Sequence, residues 1–211
     1  MTAETVSLAP NQIQPAAEVL ALRVSPAAHL AERMAAGSSS SVTLKEVPFL
    51  QQVGLRAADD DARSALEGAL GVALPTTVGS RVALPSGGSV VWLSPDEFLV
   101  IAADAAPGEE LLFSRLEAAL GALSGQVVEL SANRTTLELS GESSREVLEK
   151  TIQLDLHDSA FPVGHTVQTL LENTGIVLSR TEENTWQVLP RASFTTHIVG
   201  WLLDGMREFA S

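Results

Sequence analysis

The chain has no cysteine among its 211 residues. Disulfides, thiolate metal sites and cysteine nucleophiles are therefore excluded from its chemistry. Positive charge is scarce as well. Its 13 Lys and Arg stand against 26 Asp and Glu, a net charge of -13. The basic residues are scattered, and an acidic surface repels nucleic-acid phosphates and anionic lipid, so neither is expected as a partner. No apolar run approaches the roughly 20 residues that cross a bilayer; Leu93–Ala106 is broken by Asp96, Glu97 and Asp104. The N-terminal MTAETVSLAPNQIQP carries an early acid, no basic cluster and no apolar core, so it does not read as a secretory signal, and a cytoplasmic location is expected. Also missing are G-x-G-x-x-G, the P-loop, H-E-x-x-H and G-x-S-x-G.

Two hundred residues suffice for one good core or two small, closely packed subdomains. Residues 1–46 hold no aromatic side chain and are rich in Ala, Ser and Pro. They read as an extended arm with one short helix over Ser25–Gly37, capped by Ser25 and closed by Gly37. Such an arm is expected to be either loose or laid on another chain. From residue 47 the pattern becomes that of an α+β domain. Alternation predicts strands at Val53–Ala57, His165–Leu171 and Gly175–Arg180; further strands are expected at Gln126–Leu130, Thr135–Leu139 and Trp186–Leu189, a buried one at Phe98–Ala102, and a hairpin across Arg81–Leu93. Helices are expected after Asp61, after Pro107, over Glu142–Lys150 and after Ser193. The last of these carries Phe194, Ile198, Trp201, Leu202, Gly205 and Phe209 at helical spacing, and that stripe is expected to be core or interface. Strands then helix, twice over, predicts mostly antiparallel sheets with packed helices, in two similar subdomains at about 47–125 and 126–211.

Chemistry-bearing residues are few. His29, His157, His165 and His197 are far apart and show no metal-ligand spacing. Asp155, His157 and Asp158 form the one dense polar group. Extended, Asp155 and His157 would share a side, as a carboxylate-oriented acid–base histidine requires; a loop held by side-chain hydrogen bonds needs the same residues. Arg134, in Asn133-Arg134-Thr135, sits at a strand junction where it would either clamp a carboxylate or pair with Glu129 or Glu138. Gly87-Gly88 falls in a hairpin turn and reads as backbone geometry rather than a phosphate loop.

Several landmarks recur in a fixed order: Ser25-Pro26-Ala27-Ala28-His29-Leu30, Leu93-Ser94-Pro95-Asp96-Glu97-Phe98-Leu99, Ser131-Ala132-Asn133-Arg134-Thr135-Thr136, Leu139-Ser140-Gly141, Leu154-Asp155-Leu156-His157, Phe161-Pro162-Val163-Gly164, Gln168-Thr169-Leu170 and Arg191-Ala192-Ser193-Phe194. Over roughly residues 25–209 this order resembles the gamma-subunit family of heterotetrameric sarcosine oxidases. The resemblance implies a fold similar to part of the folate-binding aminomethyltransferases. It implies a cytoplasmic complex with alpha, beta and delta subunits that oxidises sarcosine to glycine and hydrogen peroxide, with the methyl carbon leaving as formaldehyde or, with tetrahydrofolate as co-substrate, as methylenetetrahydrofolate. FAD, covalent FMN, NAD and zinc are expected on the other chains. No catalytic, cofactor-binding or metal residue carries over to this one. The alternative is a stand-alone folate-dependent aminomethyl or methyl transferase, or a folate-binding module. A transferase would need a pocket acid and a further barrel-like domain.

Overall fold

The computed structural model describes residues 13–209; residues 1–12 of the expected arm lie outside them. In chain order the elements are α1 (Ala17–Leu20), α2 (Ala31–Ala36), β1 (Thr43–Glu46), β2 (Gln51–Ala57), α3 (Asp60–Leu70), β3 (Arg81–Ala83), β4 (Ser89–Ser94), β5 (Glu97–Ala102), α4 (Leu112–Leu120), β6 (Gly125–Glu129), β7 (Leu137–Ser140), α5 (Ser144–Glu149), β8 (Thr166–Leu171), β9 (Thr174–Glu182), β10 (Thr185–Pro190) and α6 (Thr195–Met206). They form two five-stranded sheets, ordered β3-β4-β5-β2-β6 and β1-β7-β10-β9-β8. Every strand pairing is antiparallel.

Period-two alternation sorts side chains to opposite faces of each strand. On the first sheet, Val53, Leu55, Val90, Phe98 and Val100 face α3 and α4, which return Leu66, Leu70, Phe113 and Leu116. On the second, Leu139, Ile176, Leu178, Trp186 and Val188 pack with α2, α5 and α6. The alternate residues Val91, Leu99 and Ile101 of the first sheet meet Val177 and Leu189 of the second in a smaller third cluster. The layers therefore run helices, sheet, sheet, helices. Both sheets are apolar on both faces, which explains why Phe98–Ile101 and Ile176–Ser179 are buried continuously, the latter against the alternation expected of it.

The expected arm does not stand apart over its second half. Thr43–Glu46 forms the edge strand of the second sheet, paired with β7 from Thr43↔Ser140 to Glu46↔Leu137. Ala27, Leu30, Met34, Val42 and Leu44 are buried in that sheet's core. Lacking aromatics does not deprive a segment of apolar surface once a sheet and a helix are there to receive it. The second unit thus takes residues from before the first, and its boundary is not simply at residue 126. The predicted helix over Ser25–Gly37 is shorter, a 3₁₀ turn at Ala28–Leu30 running into α2. Ser25 does not cap it; its hydroxyl donates to Glu46, and Glu46 also accepts from the Ala27 amide.

Other boundaries shift for local reasons. The cap of α3 is Asp59, whose Oδ1 accepts from the Ala62 amide at 2.9 Å, rather than Asp61. Helix α4 starts at Leu112, not at Pro107. The preceding residues are bonded instead to Gln14, through Gln14 N to Glu109 O and Gly108 N to Gln14 O, and Gln51 Oε1 accepts from the Leu112 amide. The face of α6 is also rotated from expectation. Ile198, Val199, Leu202, Leu203 and Met206 are buried, whereas Phe194 and Trp201 are 46% and 36% exposed. So many residues of this helix are apolar that spacing alone does not choose among its faces.

The sheets are also joined at their edges. Gly79 accepts through its carbonyl from the Thr166 amide at 2.9 Å, and the His165 ring lies over it. A Cβ on Gly79 would sit 1.7 Å from His165 Cε1, and its φ is +79°. Gly87 has a similar φ of +88° with nothing within 4 Å of its would-be Cβ. We therefore expect Gly87→Ala to cost about 1 kcal/mol, the strain of the left-handed region alone. Gly79→Ala should cost roughly 2 kcal/mol more, because the His165 joint must open. Denaturant unfolding of the two variants measures the difference; equal losses would show that the joint carries no load.

Candidate functional site

The four histidines remain apart. His29 Nε2 lies 3.2 Å from Thr196 Oγ1. His165 packs edge-on to Phe161, and His197 edge-on to Trp201. Burial holds the His165 imidazole below the ordinary histidine range. His157 is exposed. Its amide donates to Asp155 Oδ1 at 2.9 Å, and its Nδ1 lies 2.8 Å from Ser159 Oγ. The Asp155–Asp158 segment is thus a loop tied by its own side chains, the second of its two sequence readings. Among the described residues no group of three or more His, Cys, Asp or Glu side chains is placed to hold a metal. Gly87 and Gly88 lie in the β3–β4 hairpin turn, as their sequence context predicts.

The organising cation of this region is one the sequence did not single out. Arg180, on β9, is 4% exposed. Its guanidinium donates to Asp158 Oδ1 at 2.7 Å, to Phe161 O at 2.9 Å and to Glu183 O, and lies 5.3 Å from the centre of the buried Trp186 ring. It ties the loop before β8 to the β9–β10 turn. The hydrogen bond from Arg180, and then its charge, holds the Asp158 carboxyl below its ordinary range. A lone arginine in a strand pattern carries no sequence signal for this role; only the loops it reaches reveal it.

Arg134 takes neither of its expected acid partners. Glu138 pairs with Lys45 at 2.9 Å, and Glu129 accepts from the Ser131 amide. Arg134 instead forms an isolated antiparallel bridge with Arg191 and donates to Leu189 O at 3.4 Å. Burial, reinforced by the Arg191 charge and opposed by Glu97, lowers its pKa from the usual arginine value. It borders a cavity of about 590 Å³. This cavity lies where the chain crosses between sheets, at residues 46–52 and 129–136, with residues 23–26 over it.

Apart from the cavity, the prominent surface feature is apolar. Phe194, in the 3₁₀ turn that leads into the last helix, and Trp201, on that helix, are both exposed. Val19, Leu22 and Val24 of the segment leading into the second sheet are more exposed still, Val24 at 81%. Where exposed apolar groups are contiguous they mark protein–protein contact surfaces. No helix among the described residues is long and apolar enough to cross a membrane.

Comparison with known proteins converges on one family. The model of the "Sarcosine oxidase, gamma subunit family" matches residues 55–208. "Sarcosine oxidase subunit gamma" of Arthrobacter sp is 50% identical over 196 residues, 92% of this chain and 95% of that protein. The protein of the same name from Corynebacterium sp. (strain P-1) is 48% identical over the same shares. Among solved structures, a chain of the heterotetrameric sarcosine oxidase from Corynebacterium sp. U-96, in complex with pyrrole 2-carboxylate, superposes with a TM-score of 0.83 at 46% identity, covering 90% of this chain and 97% of that one. The glycine cleavage system aminomethyltransferase T from Bartonella henselae superposes with a TM-score of 0.61 at 15% identity, covering 81% of this chain and 48% of that one, a likeness of fold alone.

The Arg180 network gives a direct contrast with the residue that sequence favoured. Arg180→Ala should destabilise the chain by roughly 2–4 kcal/mol, since it strips the donor from two buried or half-buried carbonyls and empties the space beside Trp186. His157→Ala should change stability by about 0.5 kcal/mol. Asp158 has a lowered native pKa, so its contribution is intact above its unfolded value of about 3.9 and is lost as pH falls through the lower native value. Arg180→Ala should flatten that part of the stability-versus-pH curve. Urea unfolding across an acid pH series measures both effects; a wild-type acid limb in Arg180→Ala would refute the assignment.

Proposed function

The chain belongs to the sarcosine oxidase gamma subunit family, and from that premise we propose that it acts as a non-catalytic, structural subunit of a heterotetrameric oxidase in the cytoplasm. The reaction of the assembly is oxidation of sarcosine to glycine with hydrogen peroxide, the methyl carbon leaving as formaldehyde or as methylenetetrahydrofolate. The observation that carries the reading is identity near one half over nearly the whole length of both partners, 92% of this chain and 95% of the Arthrobacter protein.

The residues of this chain do not fit the cofactors of such an assembly. Its paired glycines turn a hairpin rather than open a helix, and its described acids and histidines do not converge on a metal position. On the family resemblance we assign FAD, FMN, NAD and zinc to the alpha, beta and delta subunits, and no chemical step to this chain. What this chain supplies is shape. Its exposed aromatics Phe194, before the last helix, and Trp201, on it, and the apolar segment at residues 19–24 are surfaces that another subunit would cover. The transferase alternative has less support. The chain spans about half the length of the transferase it superposes on, at an identity that speaks for fold only.

Co-expression with and without the other three subunits tests this. The isolated chain should show no visible flavin band and no oxygen consumption with sarcosine; the co-expressed complex should show both. Because Trp201 is partly exposed, Trp201→Ser should alter the chain's own stability by less than about 1 kcal/mol. The same change, combined with Phe194→Ser, should weaken co-purification with the other subunits by tenfold or more, about 1.4 kcal/mol or above. Sarcosine oxidation or methyl transfer by the chain alone would overturn the proposal.

A further inference from the structure

The cavity at the crossing between the two sheets has the size and lining of a small-molecule site. Its volume of about 590 Å³ lies within the roughly 300–1,000 Å³ typical of such sites. Val24, Pro26, Val47, Pro48, Phe49 and Leu50 supply an apolar wall. Its three carboxylates are each engaged already. Glu46 accepts from Ser25 and from the Ala27 amide. Asp104 accepts from Gln14 Nε2 at 2.7 Å and forms an ion pair with Arg23. Glu129 accepts from the Ser131 amide at 2.7 Å.

Arg134 is different. The one hydrogen bond of its guanidinium among the described residues is the 3.4 Å contact with a backbone carbonyl, and it has no carboxylate in ion-pair contact there. Arg191, bridged to it through the backbone, has none either. In a chain with twice as many acids as bases, two adjacent arginines whose nearby carboxylate, Glu97, acts on Arg134 without ion-pair contact make a local positive site. A second observation lies on the same wall. Gln52 is 2% exposed and lines the cavity; its Nε2 donates to Arg134 O and lies within hydrogen-bond reach of Thr136 Oγ1, while its Oε1 has no donor among the described residues. A buried acceptor without a donor costs about 1–3 kcal/mol, and native folds keep few of them. A third is Phe49. It holds φ at +59°, a conformation that bulky residues rarely adopt, and its ring lies 4.3 Å beneath the Arg23 guanidinium. Strained backbone of this kind concentrates at ligand sites.

We infer that this cavity binds a small organic carboxylate with a flat, apolar body. The carboxylate is taken by the Arg134 guanidinium, whose paired N–H groups suit bidentate binding, with the charge of Arg191 acting from outside the lining. The body lies along the apolar wall by Phe49. Gln52 Oε1 is closed off from the cavity as the chain stands, so a ring N–H or hydroxyl on that body supplies its missing donor only by turning the Gln52 amide toward the ligand. The site draws on residues 23–26, 46–52 and 129–136 together, so it exists only when both sheets and the segment over them are in place. The inference rests on the cavity rather than on the subunit reading, although Val24 lies both in its wall and in the surface proposed for subunit contact.

The test is calorimetric titration of the full chain with indole-3-carboxylate, and with indole-3-carboxamide as its uncharged counterpart. Wild type should bind the carboxylate at least roughly tenfold more tightly than the carboxamide. Arg134→Gln should abolish that preference, and Arg134→Lys should restore part of it. Phe49→Gly should weaken both ligands without lowering the midpoint of thermal unfolding, because glycine accepts the positive φ. Should Arg134→Gln fail to fold, Arg191→Gln, on an exposed residue, should still reduce the preference severalfold. Absence of carboxylate binding at millimolar concentration, equal affinity for the carboxamide, or a preference untouched in the folded arginine variants would overturn the inference.

Discussion

Two sheets that are apolar on both faces set the terms for this fold. A sheet with a single apolar face can leave the other in water, but β4, β5, β9 and β10 bury successive residues on opposite sides. Helices must then cover the outer faces, and the inner faces must meet. The third cluster is small, only Val91, Leu99, Ile101, Val177 and Leu189 with a few partly buried neighbours. It works because the rims are also tied, by Gly79 against His165 and by Gln168 donating to Leu93 O. Both apolar and polar joints are needed to hold the crossing segments where they enclose the cavity.

The same constraint bears on what kind of molecule this is. Apolar residues sufficient to cover four sheet faces are drawn from 211 residues with only nine Phe and Trp and no Tyr. Phe98 and Trp186 are fully buried, yet Phe194 and Trp201 remain on the surface. An acidic chain that keeps aromatics outside while its core is built mainly of Leu, Val and Ile reads as one with a surface reserved for other chains. Likeness to an aminomethyltransferase speaks for the fold alone, and membership of a gamma-subunit family is what places the chain. Fold and chemistry separate readily in evolution.

Strands were legible because alternation is a local property. The hairpin at Arg81–Ser94 and the run Phe98–Ala102 needed only their own residues to be seen. The fate of residues 25–46 was not legible, because their partners β7 and α6 lie far along the chain and short apolar side chains give no hint of where they will dock. Helix α6 was found but misoriented, since Thr195–Met206 offers apolar residues on nearly every side. The candidate site divides the same way. Arg134 stood out for its position between two strands. Arg180, in an ordinary strand, showed nothing until two distant loops were seen to converge on its guanidinium. Gln52 and Phe49 gave no signal because an unpaired acceptor and a positive φ are properties of the folded chain alone.

The antiparallel pair Thr43↔Ser140 joins residues 97 apart in sequence. The entropy of closing so long a loop grows only logarithmically with its length, so the final stability suffers little. The rate is another matter, because distant pairings slow the search for the native state. On a ribosome the edge strand and the buried Leu30, Met34 and Val42 emerge early, and must wait while the entire first sheet is synthesised before β7 arrives. During that interval a short strand with unpaired backbone groups is available to any other sheet edge nearby. Its brevity, four residues with a lysine and a glutamate among them, makes it a poor template for the wrong partner while leaving it adequate for the right one.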